Sequence, residues 1–197
     1  MTPERRNKIN RVLNHRQPDL TVVLENVHDP HNISAVMRTC DAVGVQEIFV
    51  LTTVIGRHEK FGKKSSASAA GWLTIHEFES TEECVKALHR KGYRLFATHL
   101  GEDAVSLHKL DLVQPMAMVF GNEHDGVTDE LLKHCDGNFI IPQVGMIQSL
   151  NISVACAVSL YEAFRQRSEH GYFNGESRLP DEQHATLSKL WGLTGEQ

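Results

Sequence analysis

Three short stretches of this 197-residue chain gather the side chains best suited to chemistry. They are N-I-S-A-V-M-R-T (Asn32 to Thr39), F-G-N-E-H-D-G-V (Phe120 to Val127) and I-P-Q-V-G-M-I-Q-S-L-N-I-S-V-A (Ile141 to Ala155). Each places polar groups between an apolar run and a helix-like pattern, and the second and third add glycines. Open α/β sheets bind ligands at that junction, outside the strand ends. Glycines such as Gly121 let backbone approach a ligand, and apolar residues such as Ile141 and Leu150 can enclose a flat ring. By periodicity alone, Ile141 and Leu150 also suit plain core packing. A guanidinium offers only donors, so Arg38 suits binding an anion better than proton abstraction. Glu123 can pair with Arg38 or brace its loop. Asn32 and Asn151 also read as helix N-caps, a role that can coexist with ligand contact.

Positioning these groups requires alternating elements. The spacing predicts a helix over 4–16 with basic residues on one side, then a strand over Leu20 to Glu25. A helix capped by Asn32 and stopped by Gly44 follows, then a strand over Gln46 to Leu51. Residues 52–71 read as an irregular basic loop with at most one helical turn. Further strands are expected over Leu73 to Phe78, Tyr93 to His99, Met116 to Gly121 and Asn138 to Pro142. Ser80 and Glu83 form a capping box for a helix from Thr81 to Lys91, closed by Gly92. A helix is expected over Thr128 to Cys135, and a long one over Asn151 to Arg167. The alternation implies an α/β fold, a mostly parallel sheet with helices on both faces. The long helix is apolar nearly all round, so it is buried on more than one side. A subunit interface and a central position in one subunit both account for it. The division reads as a basic N-terminal helix (1–17), a central domain (18–168) and a polar C-terminal tail (169–197) with a weak helix near Glu182 to Trp191.

Composition narrows the classes. Hydrophobic content of 41% and charged content of 23% are ordinary for a soluble domain. No apolar run reaches the ~18 residues needed to span a bilayer, and the start lacks a signal-peptide core. A cytoplasmic protein without a membrane partner is expected. Cys40, Cys84, Cys135 and Cys156 form no C-x-x-C pair and read as buried thiols, with zinc binding or a catalytic thiol as alternatives. His28 and His31 flank Asp29 and Pro30 without a third ligand at a recognised spacing, so no metal is expected. G-R-H-E-K-F-G-K-K-S fails as a phosphate-binding loop, because Lys64 stands where Ser or Thr is needed. No G-x-G-x-x-G or G-x-S-x-G occurs. Net charge is −5, yet residues 1–17 hold five basic residues against Glu4, and 57–64 hold four against Glu59. Residues 86–94 add four more with no acid. Such clusters can bind phosphate or form solvated helix faces.

Together the three stretches resemble the SPOUT superfamily, in its SpoU/TrmH branch of RNA ribose 2′-O-methyltransferases. Matching positions are Asn32 and Arg38, then Gly121, Glu123 and Gly126, then Pro142, Ser149 and Asn151. R-Q-P-D-L-T-V-V-L-E-N-V-H-D-P-H-N looks most like the enzymes acting on guanosine 18 of the tRNA D-loop. The resemblance implies a deep C-terminal trefoil knot, a homodimer, and S-adenosylmethionine as methyl donor. It places Arg38, Asn32, Glu123, Ser149 and Asn151 at the reacting centre. Thr98, His99, Leu100, Gly121, Asn122, Ile141, Met146, Ser149 and Leu150 would surround the cofactor. Lys8, Arg11, Arg16, Arg165 and Arg167 would contact tRNA phosphates. Ribosomal RNA, a tRNA wobble nucleotide, or RNA binding without catalysis remain alternatives.

Overall fold

The β-branched run Leu20–Glu25 becomes β1, a strand buried along its whole length and paired on both sides. The structure, a computed structural model, describes residues 1–56, 69–101, 103–147 and 149–193. The basic cluster at 57–64 and most of the expected 52–71 loop lie outside the described residues. The chain runs α1 (Pro3–Asn14), β1, α2 (Pro30–Val43), β2 (Glu47–Leu51), a 3-10 turn (Ala69–Trp72) and β3 (Thr74–Phe78). It continues α3 (Thr81–Arg90), β4 (Arg94–Thr98), β5 (Val105–Ser106), a second 3-10 turn (Leu107–Lys109) and β6 (Met116–Phe120). α4 (Asp129–Leu132), β7 (Gly137–Ile140), α5 (Ile152–Glu169) and α6 (Asp181–Leu190) complete it.

The seven strands lie in the order β3-β2-β1-β6-β4-β7-β5, and every adjacent pair is parallel. Alternate side chains of a strand face opposite ways. Val22, Leu24, Met118 and Phe120 therefore pack under α2 and α5, while Val23, Phe49, Ala97 and Val119 pack under α3 and α4. Both faces are covered, as the near-continuous apolar strands require.

Local chemistry sets the element ends. α2 starts earlier than the sequence suggested. Asp29, not Asn32, is its N-cap and accepts from the His31 amide at 2.8 Å, with Pro30 in the first turn. Gly44 ends α2 at φ +86°, and a Cβ there would sit 2.3 Å from the His15 carbonyl oxygen. Ser80 caps α3 by accepting from the Glu83 amide at 3.4 Å. α4 is a single turn, shorter than expected.

Two arginines assigned to RNA are instead structural staples. Arg167, fully buried on α5, spends all five donor positions inward. They go to the Leu112, Asp19 and Gln114 carbonyls, the Gln17 side chain and the Asp19 carboxylate. Arg16 is buried as well; it pairs with Asp41 at 2.7 Å and donates to the Val45 and Trp72 carbonyls. Neither can reach a phosphate. The last segment does not hang free: Leu179, Leu187 and Trp191 pack on Ile9 and Leu13 of α1 in a third small core. Gln183 of α6 also donates to Glu47 at 2.8 Å.

Candidate active site

β1, β6, β4 and β7 end side by side, and the loops that follow β4, β6 and β7, with the start of α5, enclose a cleft of about 400 Å³. The chain leaves β1 toward β2 but leaves β6 toward β7, on the other side of the sheet. The cleft thus lies beside the switch point of the sheet, where a crevice opens. Its walls include Leu100, Phe139, Ile141 and Leu150, with Thr98, Asn122, Gln143 and Ser149 as polar groups. Glu123 and Asp125 give it a negative lip.

The loop after β6 is folded by its own side chains. Asn122 Oδ1 accepts from the His124 and Asp125 amides at 2.8 and 2.7 Å. Asn122 and Gly126 exchange backbone hydrogen bonds, with Gly126 at φ +72°. A Cβ on Gly121 would lie 2.0 Å from the Gly126 carbonyl group, so this turn can close only over glycine. Below it, buried Glu25 at the end of β1 accepts from the Thr128 amide at 2.8 Å and its hydroxyl at 2.5 Å. Burial pushes the Glu25 carboxyl above its ordinary range, against the pull of the two Thr128 bonds.

Hydrogen bonds join the three distant stretches at the mouth of the cleft. Asn32 Nδ2 donates to Glu123 Oε1 at 2.6 Å, and Asn151 Nδ2 donates to Asn32 Oδ1 at 3.1 Å. Asn151 Oδ1 caps α5 by accepting from the Ser153 amide at 2.9 Å and its hydroxyl at 2.6 Å. Asn151 is therefore both a cap and a site residue. Asn32, relieved of capping by Asp29, uses both ends of its amide for the site.

Of the residues assigned to the cofactor, Thr98, His99, Leu100, Gly121, Asn122, Ile141, Ser149 and Leu150 line the cleft. Met146 does not: it is 98% exposed and outside the lining. Arg38 stands on an exposed part of α2 and is not among the lining residues. Sequence reasoning missed His124, Asp125 and Gln143 as lining residues. All three sit inside the quoted stretches, so position in the motif was the available signal. Lys8 and Arg11 are exposed on α1. Arg165 is exposed but bracketed by Glu162 and Glu169 at 2.8 and 2.7 Å, which leaves that patch net acidic. Its hydrogen bonds help hold Glu162 down at about 2. The four cysteines are free, and burial pushes their thiols up, to about 12 for Cys84 and Cys135. That disfavours a thiolate nucleophile or ligand. Among the described residues no group of three or more His, Cys, Asp or Glu could hold a metal ion, and no helix is long and apolar enough to cross a membrane.

An open parallel sheet with an apolar, acid-lipped cleft beside its switch point defines an α/β protein with a pocket of small-molecule size at its strand ends. The profile of the SpoU rRNA Methylase family matches residues 19–161, and the chain belongs to that family. It is 43% identical over 190 residues to a tRNA (guanosine(18)-2′-O)-methyltransferase of Thermus thermophilus, covering 96% of each chain. Its fold matches the crystal structure of the Aquifex aeolicus TrmH/SpoU tRNA modifying enzyme, with TM-score 0.86, 33% identity and 98% of each chain covered. An AdoMet-bound rRNA methyltransferase from Sinorhizobium meliloti superposes with TM-score 0.66 at 28% identity, over 79% of this chain and 59% of that one.

Proposed function

We propose that this protein transfers a methyl group from S-adenosylmethionine to the ribose 2′-hydroxyl of guanosine 18 in tRNA. The observation that carries the reading is the Asn151–Asn32–Glu123 hydrogen-bond chain at the cleft mouth. It gathers the family's three motif segments where a nucleotide can meet a small-molecule donor. The relative of 43% identity, named for that reaction and covered along 96% of its length, supports the substrate.

The cleft fits the donor in size and chemistry. Its volume falls within the ~300–1,000 Å³ of small-molecule sites. Leu100, Ile141 and Leu150 offer apolar walls for adenine, and Glu123 and Asp125 set a field that favours a sulfonium. The bound donor supplies an electrophilic methyl group. The chain's own residues do the rest. Asn32 and Asn151 fix the mouth of the cleft and orient the incoming ribose, an entropic contribution that suits an in-line displacement. Arg38 holds the neighbouring phosphate and stabilises charge on the attacking oxygen, because a guanidinium has donors and no acceptor. Lys8 and Arg11 contact phosphates, which position RNA without reading its sequence.

The active form is a homodimer. On α5, Ile152, Cys156, Leu160 and Ala163 face the sheet, while Val154, Val158 and Tyr161 stay exposed at helical spacing. Val144, Met146 and Ile147 are exposed as well, and a second copy would cover the apolar face of α5. Placement of β6 between β1 and β4, with α5 returning onto α2, is compatible with a trefoil knot at the C-terminal end.

Purified protein, labelled methyl donor and unmodified tRNA test the reading. The methyl group should map to guanosine 18, and Arg38→Ala should abolish transfer. Methylation of a ribosomal or wobble nucleotide instead would overturn the substrate. Unchanged activity of Arg38→Ala would overturn the assigned role of the guanidinium.

A further inference from the structure

A second cavity, of about 210 Å³, opens where α1, the Ala69–Trp72 turn and the end of α6 meet. Trp72 and Trp191 line it, packed edge to face with ring centres 5.2 Å apart and planes at 76°. Arg5 and Lys8 of α1 stand on its rim, and Asp41 of α2 closes one side. The wall is braced from behind. The buried Arg16 guanidinium lies 5.3 Å from the Trp191 ring centre, holds Asp41 at 2.7 Å and binds the Trp72 carbonyl at 3.1 Å. Asp41 nevertheless keeps 37% of its side chain exposed. The Trp191 indole nitrogen is buried without a hydrogen-bond partner, an arrangement folded proteins seldom leave unexplained.

We infer that this cavity is a second RNA subsite, which takes one unstacked nucleobase of the substrate and prefers a base with an exocyclic amino donor. The inference rests on the RNA substrate proposed above. Each part of the cavity matches one part of a nucleotide. Trp72, the less buried of the two rings, offers an aromatic surface for a base to stack on, with the 7% exposed Trp191 behind it. Arg5 and Lys8 complement the flanking phosphates. The Asp41 carboxylate accepts from a guanine, cytosine or adenine donor edge, and uracil presents fewer donors to it. The volume lies below the ~300–1,000 Å³ of sites for whole drug-sized ligands, which leaves room for one ring system.

The position also suits a substrate strand. Asp41 lies one helical turn beyond Arg38 on the same helix, so the two are surface neighbours. From Asn32 at the cleft to Asp41 is nine residues of α2, about 14 Å at ~1.5 Å per residue. That equals about four nucleotides of a stacked strand at ~3.4 Å each. A nucleotide a few positions from the reacting ribose can therefore reach the cavity.

The chain supplies its own probe, because its two tryptophans are Trp72 and Trp191. Intrinsic tryptophan fluorescence reports on this cavity and not on the cofactor cleft. Titration of the full protein with GMP should quench it saturably. UMP should bind about fivefold or more weakly, for want of a donor pair facing Asp41. Ribose 5-phosphate, which lacks a base, should leave the emission unchanged. The double variant Arg5→Ala/Lys8→Ala, altered only at exposed positions, should weaken GMP about tenfold or more through the lost charge-assisted contacts. Saturating S-adenosylmethionine should not displace the GMP signal. No quenching by any mononucleotide, equal quenching by GMP and UMP, or loss of the signal when the cofactor binds would each overturn the subsite. Because these titrations need no methyl transfer, their failure is separable from failure of the proposed reaction. If tRNA is methylated at guanosine 18 and GMP leaves the tryptophan emission unchanged, only the subsite is lost.

Discussion

Asn32 spends its amide in two directions, donating to Glu123 and accepting from Asn151. Asn32→Ala would cut the link between three chain segments while disturbing little packing, since the residue is only half-buried. A misplacement of that kind costs about 10²-fold in rate. We expect kcat for tRNA methylation to fall by about that factor while Tm stays nearly constant, measured by single-turnover assays and thermal melts. Glu25 makes a different prediction, in pH. Burial raises its folded pKa above the unfolded value near 4.5. The folded state then holds a proton that the unfolded state has released. The contribution of this group is present in full below pH 4.5 and is lost as pH rises through the folded pKa. Relative to Glu25→Gln, which cannot ionise, the native protein should lose Tm as pH climbs above 4.5. A flat difference between the two melting curves would refute this.

At the scale of elements, the loop after β6 shows how local geometry sets the site. Gly121→Ala places a methyl group 2.0 Å from the Gly126 carbonyl group. The loop must open, which moves Asn122 and Glu123 together. Both Tm and cofactor affinity should drop, read by melts and by calorimetric titration of S-adenosylmethionine. Much of this level was legible in the sequence. β1 and β6 were plain because apolar runs bounded by polar turns have one good use in an α/β chain. The start of α2 was misplaced by three residues, because Asp29 and Asn32 both suit a cap; Pro30, at home in a first turn, was the deciding signal. β5, two residues long, has too few positions to show any period. Arg16 and Arg167 were assigned to RNA because a sequence gives the charge of an arginine and not its burial. Their partners, Asp41 and Asp19, lie 25 and 148 residues away.

For the whole molecule, the all-round apolar pattern of α5 raises the question of what its faces cover. One face packs on the sheet, and the other carries Val154, Val158 and Tyr161 into solvent in the single chain. The homodimer proposal makes this surface an interface. Sedimentation should give twice 22.1 kDa for the native chain and 22.1 kDa for Val154→Asp/Val158→Asp. Methylation should fall with the dimer. A native chain that sediments as a monomer would remove the interface.

Arg167 has one more consequence. Its guanidinium, near the end of α5, is latched to Gln17 and Asp19, where the polypeptide first enters the sheet. A ribosome therefore has to polymerise 167 residues before that latch has both halves. Nascent chains stalled ahead of residue 167 should remain open to protease, and those released beyond it should resist. Whatever shields a growing polypeptide from premature association has to stay with this one until α5 has emerged.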